Sequence, residues 1–375
     1  MTMQTISPVF GKSEMLFCSI PVPPINNHKG GVFDFTAEQI ANYGQSQTHP
    51  SIVYVPGGWN GHEYWLATTP YPHADGVFEN PCIYYGDADG DGNPPRVFTP
   101  ISGTASGQYV VTNNPIVKVP DVNTTNSDPD LWFDSVNSIM WMISRENTYG
   151  YAVYSQKSAN GNAWTARGTS YLWMRDRGDL VGKPELLSPA IVKVGNKIRI
   201  YSLSGTAGIY PLNNRLNSGR CWGLYVMEGT TLEGAGDFSF AGKAAILGKR
   251  GIEPWHMDMF VDSRTGYIYM ICSAKNVLTN KTEVYLAEST DGLNFNLFSK
   301  PLVSGDYSHY RPSAALRGDN SLVVYFSVTN APTTPASYPN GESDVPVDGR
   351  AIGVCCKDFD LILQELREEK VIGWV

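Results

Sequence analysis

The sequence is poor in charge. Only 17% of its 375 residues are Asp, Glu, Lys or Arg, and the balance is acidic, with a formal net charge of −8. No stretch clusters Lys and Arg densely enough to follow a phosphate backbone, so nucleic acid is not an expected partner. No apolar run approaches roughly 18 residues, so no membrane insertion is expected. The opening MTMQTISPVFGKSEM has no basic region leading into an apolar core. On that ground no signal peptide is expected, and synthesis is assigned to the cytoplasm. Cysteine is scarce and unpatterned: Cys18, Cys82, Cys221, Cys272, Cys355 and Cys356 form no CxxC pair or zinc knuckle. Cys82, Cys272 and Cys355 sit in apolar runs and read as buried free thiols. The P-loop, the GxGxxG turn, HExxH and GxSxG are all missing, which removes nucleotide, zinc-protease and α/β-hydrolase readings.

What is abundant is turn and strand material. The chain has 37 Gly, 25 Pro and 12% aromatic residues, the composition of a loop-rich all-β protein. One Pro-anchored motif recurs five times, as His49-Pro50, Asp128-Pro129, Ser188-Pro189, Glu253-Pro254 and Arg311-Pro312, at spacings of 58 to 79 residues. Each is followed by a polar turn and a second apolar strand: EYWLATT, IMWMISR, IRIYSLS, YIYMICS and LVVYFSV. A third follows: CIYYG, YAVYS, WGLYVME, VYLAES and IGVCC. Ser289-Thr290-Asp291-Gly292 with Phe295, and Ser158-Ala159-Asn160-Gly161 with Trp164, mark the next turn, where Gly accepts a positive φ and the aromatic packs back. A repeat of this kind predicts a five-bladed β-propeller. The expected division is an N-terminal extension over 1–46 and the propeller over 47–375. In the extension, MLFCSIPVP offers a ring-closing strand, and FTAEQIANYG offers a short helix with Thr36 as N-cap. The C-terminal LILQELREEKVIGWV is expected to complete the final blade.

Proline cannot donate to a strand ladder, so it belongs at a strand's first residue. The residues before the five prolines are therefore expected at one mouth of the channel: His49, Asp128, Ser188, Glu253 and Arg311. Asp128 and Glu253 form the candidate catalytic pair, since glycoside hydrolysis needs two carboxyls flanking the scissile bond. Arg311 suits holding a carboxylate ionised or binding an acidic sugar. His256, three residues after Glu253, suits a sugar hydroxyl or, with His49, a cation. Asp130 and Asp258 lie further along inner strands and are the runner-up acids. Trp59, Trp132, Trp255, Tyr307 and Tyr310 lie near the strand starts, where aromatic faces stack on sugars or simply fill the core. The run Asp87-Ala88-Asp89-Gly90-Asp91-Gly92 has the alternating carboxylates of a Ca²⁺ loop, although Phe98 stands where a full loop has Glu; the other reading is a plain acidic turn.

The segment Ser127-Asp128-Pro129-Asp130-Leu131-Trp132-Phe133-Asp134 resembles the Asp-Pro strand of the five-bladed glycosidases of glycoside hydrolase family 43 and the related invertase-type enzymes. The resemblance implies three inner acids from consecutive blades: a base Asp, a pKa-tuning Asp and an acid Glu. Counted from the second motif, Asp128 stands as base, Ser188 replaces the tuning acid and Glu253 stands as proton donor, with Arg311 and His49 after them. The function this implies is a glycoside hydrolase acting on a bacterial surface polysaccharide. No cofactor is required; Asp87, Asp89 and Asp91 offer a structural Ca²⁺ site as the alternative to a plain acidic turn. The competing readings are a non-catalytic glycan- or receptor-binding protein of a bacteriophage tail, partnered by other virion proteins, and a particle protein whose inner charges only hold the ring.

Overall fold

The computed structural model describes residues 7–20, 47–71, 79–102, 126–146, 152–165, 185–205, 224–233, 237–247, 251–276, 278–305, 308–329 and 350–368. The helix expected over FTAEQIANYG lies outside them, as does Tyr307.

The fold is an all-β propeller. The described strands form five antiparallel units. The chain begins with β1 (Leu16–Phe17). The first unit follows, with β2 (Gln47–Trp59), β3 (His62–Pro70), β4 (Cys82–Gly86) and β5 (Thr99–Pro100). The second has β6 (Asn126–Asp134), β7 (Ile139–Glu146) and β8 (Ala152–Ser158). The third has β9 (Glu185–Val194), β10 (Lys197–Gly205), β11 (Leu224–Gly229) and β12 (Ser239–Leu247). The fourth has β13 (Ile252–Val261), β14 (Ile268–Asn276), β15 (Lys281–Ser289) and β16 (Asn294–Leu297). The fifth has β17 (Ser308–Leu316), β18 (Ser321–Thr329) and β19 (Ala351–Asp358), with β1 paired on the outside of β19. The outer strands of the third and fourth units also pair in parallel, Ile246 opposite Phe295.

The inner strands β2, β6, β9, β13 and β17 touch in a closed cycle. Side chains on them stitch the cycle together. Ile52 N donates to Ser313 Oγ at 2.9 Å, Leu131 N to Ser51 Oγ at 2.9 Å, and Ile191 N to Asp130 Oδ2 at 2.7 Å. The second strands are buried on both faces because each unit is covered by its two neighbours. That is why they read as unbroken apolar runs. Each seam holds its own cluster: Tyr64 with Tyr325, Met142 with Leu131 and Trp65, Ile143 with Ile200, Tyr201 with Met270, and Ile271 with Phe326. Gly161 and Gly292 adopt φ of 74° and 70°; a Cβ at Gly161 would stand 2.1 Å from the Trp65 ring.

After the fifth unit, residues Phe359–Arg367 form a helix, α1; of LILQELREEKVIGWV, expected to complete the final blade, the part beyond 368 lies outside the described residues. Asp358 caps α1 by accepting from Leu361 N, and Phe359, Ile362, Leu363 and Leu366 fall on one face and are buried. That spacing is helical, with the cap directly ahead of it.

Candidate functional site

The inner strands begin irregularly. In four units the register skips where the motif enters the strand: between Thr48 and Ser51, Ser127 and Asp130, Leu187 and Ala190, and His309 and Pro312. His49, Asp128 and Ser188 take φ of 52°, 51° and 48°, unusual for non-glycine residues and more so before proline. This backbone turns their side chains out of the ladder. Opposite each of these four skips the second strand carries a buried hydroxyl residue: Thr68, Ser144, Ser202 or Ser327.

The fourth unit corrects the sequence alignment. Its register skip lies between Pro254 and His256. His256 N donates to Ser273 Oγ at 3.3 Å, just as Arg311 N donates to Ser327 Oγ at 2.9 Å. His256, followed by Met257 instead of proline, therefore occupies the inner position that the repeat assigned to Glu253. Glu253 lies three residues earlier, half-buried, opposite Lys275 on β14. The Pro marks four starts and misleads at the fifth.

Asp128 is the centre. It is 0% exposed. Around it stand His49 Nε2 at 3.5 Å, His256 Nδ1 at 3.4 Å, Arg145 Nε at 3.0 Å and Arg311 Nη1 at 3.6 Å. Burial alone would raise its carboxyl, but His49, Arg145 and His256 outweigh that and hold it well below the usual carboxylate range. Burial pushes both imidazoles below the usual histidine value against the pull of Asp128. His49 Nδ1 meets Thr69 Oγ1 at 2.7 Å and His256 Nδ1 meets Ser188 Oγ at 2.8 Å. His49 Nε2, His256 Nε2 and both Asp128 oxygens are buried without an aligned hydrogen bond.

Glu79 is the second acid. Its carboxylate lies 3.7 Å from His49 Nδ1. Burial, reinforced by Asp128 and opposed by Arg145, pushes it up to about 8. Tyr310 packs its ring 5.1 Å from that of His49 and 4.4 Å from that of His256. Burial raises its hydroxyl, with Glu79 and Asp128 adding to the effect, so it stays protonated. Below this layer, Asp130 and Asp258 form a second carboxyl pair, both raised by burial first. Ser51 Oγ donates to Asp130 at 2.9 Å, Ser313 Oγ donates to Asp258, and Arg311 Nη2 lies 3.9 Å from Asp130.

The sequence-derived candidates thus divide. Asp128, His49, His256, Arg311 and Tyr310 come together, with Trp255 alongside, its ring 5.8 Å from that of His256. Asp130 lies one layer deeper. Trp132 packs against the seam of the second and third units, and Trp59 lies at the far hairpin against Trp65 and Phe133. Glu79, Thr69 and Arg145 belong to the site and carried no motif. The readable signal was topological: second strands run back to the same mouth, so polar residues at their ends (Thr69, Arg145) face it.

Among the described residues, His49, Asp128 and His256 are the one group of three whose ligand-type atoms all lie within 4.8 Å. Two imidazoles and a carboxylate, buried and short of hydrogen-bond partners, fit a divalent transition metal or zinc. Asp87, Asp89 and Asp91 do not form such a group. Asp87 engages His62 Nδ1 at 2.8 Å and Glu63 N at 2.9 Å, and Asp89 caps its own turn through Asp91 N and Asn93.

No family model matches the chain. It is similar to the A type blood N-acetyl-alpha-D-galactosamine deacetylase of Flavonifractor plautii, 22% identical over 382 residues, covering 87% of this chain and 46% of that protein. The chain spans about half the length of this curated relative. Among solved structures it resembles the N-acetylgalactosamine deacetylase from F. plautii in complex with blood group B trisaccharide, with a TM-score of 0.62 at 19% identity over 92% of this chain and 97% of that one. It also resembles a thermostable family-43 glycoside hydrolase, with a TM-score of 0.51 at 12% identity, covering 84% and 91% of the two chains. A family 117 glycoside hydrolase of Zobellia galactanivorans gives 0.51 at 13% identity, covering 89% and 90%. At these identities the structural likeness is one of fold.

Proposed function

We propose that this chain is a carbohydrate-active hydrolase working at the channel mouth, and that it removes an acyl group from an amino sugar of a glycan. The observation that carries this reading is the buried His49–Asp128–His256 group, short of hydrogen-bond partners. The printed activity of the F. plautii relative supports the substrate class. A divalent metal held by these three residues would supply Lewis-acid polarisation and an activated water. The chain's own residues do the rest. Asp128, kept ionised by His49 and Arg145, supplies negative charge to the ligand set. Glu79, protonated at neutral pH, gives its proton to the leaving amine. Tyr310, also protonated, donates to a developing oxyanion.

A second reading is glycosidic cleavage. It is favoured by the split between protonated Glu79 and ionised Asp128, an acid and a base set apart by environment. The test is a panel of N-acetylated oligosaccharides and bacterial polysaccharides assayed for free acetate and for new reducing ends. Acetate without reducing ends supports deacylation. Reducing ends without acetate support glycosidic cleavage. Glycan binding with neither product overturns both readings and leaves a non-catalytic glycan-binding protein, of the kind a bacteriophage tail carries alongside other virion proteins.

A further inference from the structure

We infer that Ser188 is the positioning residue of His256: its hydroxyl fixes the ring's tautomer and orientation, and so presents the imidazole to the centre formed with Asp128 and His49. The inference rests on the reading of that centre as a metal-binding hydrolytic site.

Five residues occupy the inner positions of the ring: His49, Asp128, Ser188, His256 and Arg311. Four are charged or titratable, and Ser188 alone is neither. It shares the backbone of its neighbours, with φ of 48° beside 52° at His49 and 51° at Asp128. A non-glycine residue in this region immediately before proline is strained. The conformation directs the side chain to the axis, where Ser188 is 0% exposed and its Oγ lies 2.8 Å from His256 Nδ1. Ser188 belongs to the third unit and His256 to the fourth, so the bond crosses a seam and ties the ring to a neighbouring inner strand.

A serine serves here where a carboxylate would not. Asp128 Oδ1 is 3.4 Å from the same Nδ1. A second carboxylate would set two negative charges beside one imidazole in a buried site, and one of them would take up a proton. The hydroxyl supplies a hydrogen bond without charge. When it accepts from Nδ1–H, the lone pair is left on Nε2, an atom without an aligned hydrogen bond. His49 is held the same way, with Thr69 Oγ1 2.7 Å from its Nδ1. Partners of this kind, behind a ligand, commonly change metal affinity by about 10–100-fold when removed.

The test uses the full chain stripped of metal, with Ser188→Ala and Ser188→Gly. Glycine relieves the positive φ, so one variant keeps the backbone comfortable if the other folds poorly. Two readouts are taken: Zn²⁺ affinity by calorimetry, and the tautomer of His256 from imidazole ¹⁵N shifts in the metal-free protein. In both variants the Nδ1–H form of His256 is expected to lose its dominance and Zn²⁺ to bind about 10–100-fold more weakly. If His256 keeps one tautomer and Zn²⁺ affinity is unchanged in folded variants, the inference is overturned. If wild type binds no Zn²⁺, the metal reading of the centre fails. The ¹⁵N shifts then decide Ser188 alone, with an unchanged tautomer counting against it.

Discussion

Arg145 Nε stands 3.0 Å from Asp128 Oδ2, and the two come from paired strands, β6 and β7, of one hairpin. The contact is an ion pair out of line for a hydrogen bond, which Arg145 Nη2 spends on Ser127 Oγ at 2.9 Å. Arg311 approaches the other oxygen from the fifth unit at 3.6 Å. Burial alone would protonate this carboxylate, and His49 and Arg145 together keep it ionised.

Asp128→Asn is expected to cost both activity and stability. It removes the negative charge that Arg145 and Arg311 face in the buried centre, an imbalance of about 3–5 kcal/mol. The pH dependence has a definite sign. The folded pKa of Asp128 lies below the unfolded value of about 3.9, so its contribution is complete above that value and is lost as pH falls through the folded one. Urea midpoints of wild type and variant should differ by a constant amount from pH 7 down to about pH 5, and converge in stronger acid. A gap that closes already between pH 7 and 5 would count against an ionised Asp128.

Glu79 titrates in the opposite sense. Its folded pKa, pushed up to about 8 by burial, exceeds the unfolded value of about 4.3. The folded state therefore holds an extra proton between those values, and stability declines as pH rises through that window. Glu79→Gln should flatten that decline and be the more stable form near pH 8. In wild type kcat/KM should fall as pH rises through about 8. In the variant turnover should drop by about 10²–10⁴-fold, with the remaining activity no longer following that limb. A wild-type profile flat between pH 7 and 9 would remove Glu79 from the proposed acid role.

Glu253→Gln separates the site as built from the site as the repeat suggests it. Glu253 is half-buried, opposite Lys275, and takes no part in the Asp128 network. Its neutralisation is expected to change stability by no more than about 0.5 kcal/mol and to leave kcat within about threefold, well short of the loss expected for a group that moves a proton. A loss as large as that of Asp128→Asn would restore it as proton donor.

The acidic turn at Asp87–Gly92 is expected to be indifferent to calcium. The Asp87 carboxylate is engaged by His62 and Glu63 N, and that of Asp89 by Asp91 N and Asn93. Millimolar Ca²⁺ should leave the melting temperature unchanged, since a ligand that does not bind the folded state cannot shift it. A rise of several degrees would show that the turn rearranges around a cation.

Much of the architecture was legible because its causes are local. Proline at four inner strand starts, apolar second strands and Gly turns such as Gly161 and Gly292 are each set within a few residues. The site was legible only as far as that repeat ran true. His49, Asp128 and Arg311 precede prolines and were found by them. His256 holds the same place before Met257, so the proline of Glu253-Pro254 drew attention three residues too early. Glu79 and Arg145 carry no motif; they matter because strands distant in sequence end at one mouth. The raised proton affinity of Glu79 comes from burial and neighbours that exist only after folding.

The ring's closure gives the last prediction. β1 pairs with β19 through Leu16 opposite Val354 and Phe17 opposite Gly353, and Cys18 N donates to Ile352 O at 2.9 Å. A two-residue strand is too short to hold by its backbone alone. It is anchored by Phe17, buried at the seam of the fourth and fifth units with Val9 and Phe10, and by Arg96 Nε, which donates to Phe17 O at 3.2 Å. Phe17→Ala should cost about 3–5 kcal/mol. The loss should also be local at first: hydrogen exchange should accelerate at the β19 amides facing β1 before it does in β6 or β7, because freeing β1 exposes only the outer edge of the fifth unit. If protection falls equally in the second unit, β1 is part of one global cooperative unit rather than a separable closure of the ring.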